Sequence, residues 1–185
     1  MNPIDRVKNI LVAPRTEWPR IKEEPATVAS LYLGYILILA AIGPIALVLR
    51  APSTIGLAIV TYVISLAMAY LLALVVDALA PTFGGEKAFV QSLKLVAYEY
   101  TAIWLGGIFR LLPWIGGLLI LLSAVYAIYT FYLGAPVLRK ASAEKAAGFT
   151  IVVVICAIVL GVVATRILLA LLFGGALLGT IGGIG

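Results

Sequence analysis

The sequence predicts an all-α integral membrane protein, with five transmembrane helices preceded by a short amphipathic helix lying at the interface. Three observations carry that prediction. Of 185 residues, 64% are hydrophobic and only 11% charged, and the mean hydropathy is +1.18. No water-soluble fold of this length hides so much apolar surface. Apolar runs close to the roughly 20 residues that cross a bilayer's hydrocarbon recur along the chain. Lys and Arg fall unevenly on alternate sides of those runs, the pattern of the positive-inside rule.

Composition also excludes. The net charge is +5, but the 13 Lys and Arg lie scattered between apolar spans and form no continuous basic face. Membrane topology explains them, and no nucleic-acid partner is expected. There is no His and a single cysteine, Cys156, inside an apolar span. A Cys/His zinc site and an intrachain disulfide are ruled out, so neither metal nor cofactor is expected. No phosphate-cradling loop, nucleophile elbow or HExxH motif occurs, and the chain is read as a non-enzyme. The first 25 residues lack the basic start, apolar core and cleavage site of a signal peptide, so the amino end is expected to stay uncleaved.

Residues 1–26 read as a cytoplasmic amphipathic segment and 27–185 as the membrane domain. From Asn2 to Val12, the residues Ile4, Val7, Ile10 and Leu11 recur at helical spacing, with Asp5, Arg6, Lys8 and Asn9 opposite. Pro14 ends that helix, and a second short polar segment runs to Glu24-Pro25, with Trp18 as an interfacial anchor or a partner contact. The five spans cover about 27–49, 55–79, 95–109, 114–133 and 149–173. Gly43-Pro44 is expected to kink the first, since proline removes a backbone hydrogen bond. Gly84-Gly85 turns the connector after the second span, and Glu86 is expected to begin a helix there. The short link through Arg110 and Pro113 makes the third and fourth spans antiparallel neighbours. Gly134-Ala135-Pro136 is expected to end the fourth, and 137–148 to form a basic loop. The tail carries Gly175 and Gly179, a spacing that permits close helix contact and homo-oligomerisation.

Alternate-side counting places ten Lys and Arg with the amino terminus and only Arg50 and Arg110 opposite. The amino terminus is therefore expected in the cytoplasm and the carboxyl terminus outside. Arg166 falls near the outer interface, about 26 Å along the fifth helix.

Three sets of residues are candidates for function. Asp77 and Glu99 are the acids at membrane depth, with Tyr98 and Tyr100 beside Glu99. They form either a proton or cation site, or pairs with Lys87, Lys94 or nearby tyrosines. Arg50, Arg110 and Arg166 form an outer cationic rim for phospholipid phosphates. Trp18, Lys87, Arg139, Lys140 and Lys145 are candidates for a cytoplasmic partner surface. Tyr126, Tyr129 and Tyr132 on the fourth span, with Tyr98, Tyr100 and Trp104 on the third, read as aromatic packing between helices.

The chain resembles the prokaryotic branch of the Yip-one domain family, the Ypt/Rab-interacting proteins. The resemblance rests on Phe83-Gly84-Gly85-Glu86-Lys87, Lys94-Leu95-Val96-Ala97-Tyr98, Trp104-Leu105, Pro113, Tyr126 with Tyr129, Tyr132-Leu133-Gly134-Ala135-Pro136 and Glu144-Lys145-Ala146. Pro14, Glu17-Trp18 and Glu24-Pro25 fit it as well. The resemblance implies a five-span protein of a prokaryotic inner membrane, with a cytoplasmic amino terminus. Eukaryotic relatives are membrane adaptors that bind Rab-type GTPases and one another. Their Asp-Leu-Tyr-Gly-Pro motif and long amino-terminal region are missing here, so GTPase binding is not carried over. Ala102 stands where a proline is expected, which leaves the third span straighter.

The leading expectation is a membrane-organising scaffold or adaptor working through its cytoplasmic face, because almost all polar chemistry lies there. The alternative is a lipid-handling protein, or a small-solute or ion channel or transporter, using the helix bundle and membrane lipids as partners.

Overall fold

The computed structural model describes residues 2–140 and 143–182, and every regular element among them is helical. Two short helices, α1 (Pro3–Val12) and α2 (Pro14–Glu23), precede the long ones. These are α3 (Val28–Arg50), α4 (Ile55–Leu79), α5 (Phe89–Gly106), α6 (Gly116–Arg139) and α7 (Ala146–Gly182). The stretches Val28–Arg50, Pro52–Phe83, Gly116–Arg139 and Ala146–Ala170 are long and apolar enough to cross a membrane.

The helix expected as the third span, α5, is not one of these four, and its position gives the reason. It lies at the centre, packed against α1, α3, α4 and α6, with 11 of its 18 residues buried, among them Ser92, Lys94, Glu99 and Thr101. A helix that neighbouring helices shield from lipid needs no apolar exterior and tolerates polar side chains wherever they find partners. The lipid burden falls on the others, where Leu33, Ile59, Leu121 and Ile158 are exposed.

Local chemistry explains where α3 begins and bends. Thr27 and Ser30 cap its start reciprocally, each backbone N–H donating to the other's hydroxyl at 2.8 and 3.1 Å. Tyr32–Ile36 then forms a π-helical turn, and the regular helix restarts at Ile42 after a break at Ala41. The expected kink therefore falls just before Gly43-Pro44. Pro44 occupies the first turn of the new helical segment, where a missing N–H costs little. Gly43 in turn meets Gly107, just beyond α5: a Cβ on Gly107 would lie 2.7 Å from the Gly43 Cα. The two backbones touch because neither residue has a side chain.

Three expected boundaries move. The fourth helix does not stop at Gly134-Ala135-Pro136 but runs through Pro136 to Arg139, ending at Lys140 in the left-handed conformation with φ 53°. Ala135, Leu138 and Arg139 are buried, and packing of this last turn offsets the hydrogen bond that Pro136 cannot make. The basic loop is correspondingly shorter, and positions 141–142 lie outside the described residues. Glu86 does not begin α5. Gly84 makes the predicted turn at φ +79°, but 85–88 stays non-helical because Arg139 binds the carbonyls of Glu86 and Ala88. The helix starts at Phe89. At the other end of the chain, α7 continues past 173, through Gly175 and Gly179.

Candidate functional site

The bundle has one end covered by α1 and α2, the capped end, and an opposite, far end bearing the α3–α4 and α5–α6 turns. Pro14, Glu17, Trp18 and Ile21 make up the buried face of α2 at helical spacing. Trp18 is fully buried. Its indole Nε1 donates to the Thr130 carbonyl of α6 at 3.1 Å, and its ring fills the space left by Gly134, where a Cβ would come within 2.6 Å of it. The expectation that Trp18 anchors at the interface or meets a partner is thus corrected. It is the peg that fastens α2 to the bundle.

The open carbonyl ends of both short helices are closed by side chains from the long ones. Tyr126 of α6 donates its hydroxyl to the Leu11 carbonyl in the last turn of α1 at 2.6 Å. Lys94 of α5 donates to the carbonyls of Ile21, at 2.7 Å, and of Glu24, at the end of α2. A cation at a helix C-terminus satisfies orphan carbonyls and complements the helix dipole. Arg6, which the sequence places on the polar side of α1, is also buried. It bridges the carboxylates of Glu17 and Glu24 and lies 5.4 Å from the centre of the Tyr98 ring. That ring packs edge-on against Tyr35, whose hydroxyl is 2.6 Å from that of Thr101.

A second knot joins the ends of α4 and α6 to the connector. The buried Arg139 guanidinium pairs with Asp77 Oδ1 at 3.1 Å and donates to the Ala88 carbonyl at 2.6 Å. Asp77 Oδ1 also accepts from the Ala88 N–H at 2.8 Å and the Ser92 hydroxyl at 3.2 Å. Asp77 is therefore a structural acid whose partner is Arg139, and not Lys87 or Lys94. Lys140 pairs with Glu86 at 2.9 Å on the surface, while Lys87 and Lys145 are exposed.

The four residues expected to share an intramembrane polar site do not converge. Tyr98 faces Arg6 and α3, and Tyr100 meets Trp104 edge-on at a ring distance of 5.5 Å. Glu99 is 7% exposed, and its Oε2 has no hydrogen-bond partner. It lies between Leu95 and Gly106, which touch Gly134 and Ser123 of α6, and so on the α6-facing side of α5. The aromatic residues of the third and fourth spans pair within their own helices: Tyr126 and Tyr129 of α6 lie with tilted rings 5.8 Å apart, and Tyr129 and Tyr132 are each 42% exposed.

Of the outer arginines, two are brought together. Arg50 donates to the Arg110 carbonyl at 3.1 Å, and the Arg110 guanidinium lies over Gly43. Arg166 is exposed on α7. All the described ion pairs lie at the capped end, and none includes these three arginines. Arg110 borders a cavity of about 450 Å³ between α3, α4, α5 and α7. A second, apolar cleft of about 650 Å³ runs between α5 and α6 from Leu11 to Phe109.

Sequence reasoning missed the buried roles of Arg6 and Thr130 and the helix ends that Lys94 and Tyr126 close. A signal existed for two of them: Arg6 precedes the buried Ile10 by four, and Lys94 sits within an apolar run. A charge on an apolar stripe implies a buried partner.

A model of the Yip1 domain matches residues 8–165, and the chain belongs to that family. No curated protein and no solved structure matches it.

Proposed function

We propose that this Yip1-domain protein is a non-enzymatic membrane scaffold or adaptor of the family's prokaryotic branch, recruiting a protein partner to the capped end. In this reading α5 is a fifth pass, sheltered by the other four. The amino terminus and capped end face the cytoplasm, the carboxyl terminus lies outside, and copies of the chain associate in the cell membrane. The excess of Lys and Arg on the capped side supports the orientation.

One observation carries the reading. The cap is a fixed platform rather than a loose tail: its internal charges are spent on Arg6, Glu17, Glu24 and Lys94, and a separate set is left facing water. That set includes Arg15, Lys22, Lys87 and Lys145, and Arg20 and Lys140 are exposed as well, though paired with Glu17 and Glu86. A preorganised basic surface fits an acidic protein face, and its rigidity lowers the ordering cost of binding.

The test is extraction of the full chain into native nanodiscs, followed by mass spectrometry of the proteins retained. Deleting the amino-terminal helices would remove Trp18 and unmake part of the fold, so the informative variant reverses Lys22, Lys87 and Lys140 to Glu. A stoichiometric partner, present with the natural chain and lost with the variant, is expected. A partner indifferent to the reversal, or no partner at all, would overturn the proposal.

A further inference from the structure

The 450 Å³ cavity at the far end combines a charged mouth with an apolar interior. At the mouth stands Arg110, tied to Arg50 through the hydrogen bond to its carbonyl. Neither guanidinium meets a carboxylate among the described ion pairs. The arginine fork matches a phosphate with two parallel hydrogen bonds, and a second cation held at the Arg110 carbonyl, just outside the cavity lining, adds to the preference for a ligand of net negative charge.

The interior points to the rest of the ligand. From Arg110 the cavity reaches inward past Gly107 and Trp104 to Tyr100, a helical rise of about 10 Å between Gly107 and Tyr100. Its other walls include Pro44 of α3, Ser65 of α4 and Ala164 of α7. Several polar groups on these walls are already engaged. Ser65 Oγ accepts the Trp104 N–H at 3.1 Å, Thr61 donates to the Ala58 carbonyl at 3.0 Å, and Thr165 donates to the Gly161 carbonyl at 2.8 Å. With these hydroxyls turned to protein partners, the interior suits hydrocarbon better than a polar solute. The cavity is a partly open recess between four helices, with Tyr100 and Trp104 on its inner wall and Ile103 and Thr165 toward its exposed side.

We propose that this cavity binds one anionic phospholipid, its phosphate held by Arg110, with Arg50 adding positive charge from behind the Arg110 carbonyl, and one acyl chain lying against Trp104 and Tyr100. The outer rim of three arginines thereby narrows to a single site built on two, with Arg166 outside it. The site is independent of the cytoplasmic partner reading and of membrane orientation.

Trp104 is a built-in reporter. The chain has three tryptophans: Trp18 is fully buried at the capped end, and Trp114, 98% exposed, is removed by Trp114→Phe. The full-length variant is placed in phosphatidylcholine nanodiscs containing increasing fractions of phosphatidylglycerol with brominated acyl chains. Quenching of Trp104 is expected to saturate at a low mole fraction, and brominated phosphatidylcholine at the same fraction should quench far less. Arg110→Gln should weaken the saturable component about tenfold or more, the effect of losing one charge-assisted hydrogen bond. Arg110→Lys should weaken it less. Ala164→Leu, which fills the cavity and leaves both arginines in place, should abolish it, with thermal unfolding followed in parallel for each variant. Quenching that rises linearly, ignores the headgroup or survives Arg110→Gln would overturn the proposal. Displacement by inorganic phosphate would reduce the site to a simple anion site and overturn the lipid assignment.

Discussion

The two ends of this bundle use the same residue types in opposite ways. At the capped end the buried cations are held by protein: Arg6 by two carboxylates, Lys94 by helix-end carbonyls, Arg139 by Asp77 and two connector carbonyls. At the far end Arg50, Arg110 and Arg166 lack ion-pair partners among the described residues, and Arg110 stands at a cavity mouth. A buried and paired charge organises a fold, because removing either partner strands the other. An exposed and unpaired one leaves its hydrogen-bonding capacity for something outside the chain.

If that contrast is right, substitutions should cost stability at the capped end and little at the far end. The largest effect is expected from Trp18→Ala, which empties a filled site and breaks the bond to Thr130. A loss of about 4 kcal/mol is expected, read as a drop of roughly 10 °C or more in the thermal midpoint in detergent. Arg139→Met should follow at about 3 kcal/mol, since Asp77 and the connector carbonyls lose a common partner. Hydrogen exchange localised to the connector and the start of α5 would confirm the mechanism.

Gly107→Ala sharpens the comparison from the other side, as a far-end change that should matter for shape and not for charge. Its Cβ would meet the Gly43 backbone, so a loss of about 2 kcal/mol is expected in the same assay. Thr27→Ala removes half of the reciprocal cap of α3 and should cost about 1 kcal/mol. Arg50→Gln should be smallest, within about 0.5 kcal/mol, because it is exposed and gives up one surface hydrogen bond. A larger loss there would mean that the far-end arginines are structural after all.

Helix positions were legible in the chain wherever lipid sets the rule. Runs of apolar side chains long enough for a bilayer put α3, α4 and α7 close to where they begin, and the family motifs lay in the stretches that matched. The errors came where packing overrides local preference. Pro136 reads as a stop, but the buried Leu138 and Arg139 carry the helix past it. Trp18 reads as an anchor because no single-residue rule foresees Gly134 opposite it, more than a hundred positions away. The candidate site was legible in part. Of the three arginines expected on one side, Arg50 and Arg110 meet through a hydrogen bond and Arg166 stands apart, whereas the carboxylate pair at membrane depth dissolved into a structural Asp77 and a solitary Glu99.

Composition and hydrophobic run length by themselves determined that this is a membrane protein built of helices, because an apolar chain must satisfy its backbone internally wherever water is absent. Tertiary structure alone decided which helix lies at the centre, which charges are consumed in holding the cap, and which are left to face outward. Those outcomes depend on contacts such as Trp18 with Gly134 and Lys94 with the end of α2. Distance along the chain says nothing of such meetings, and burial and pairing, not residue type, decide what a charge does.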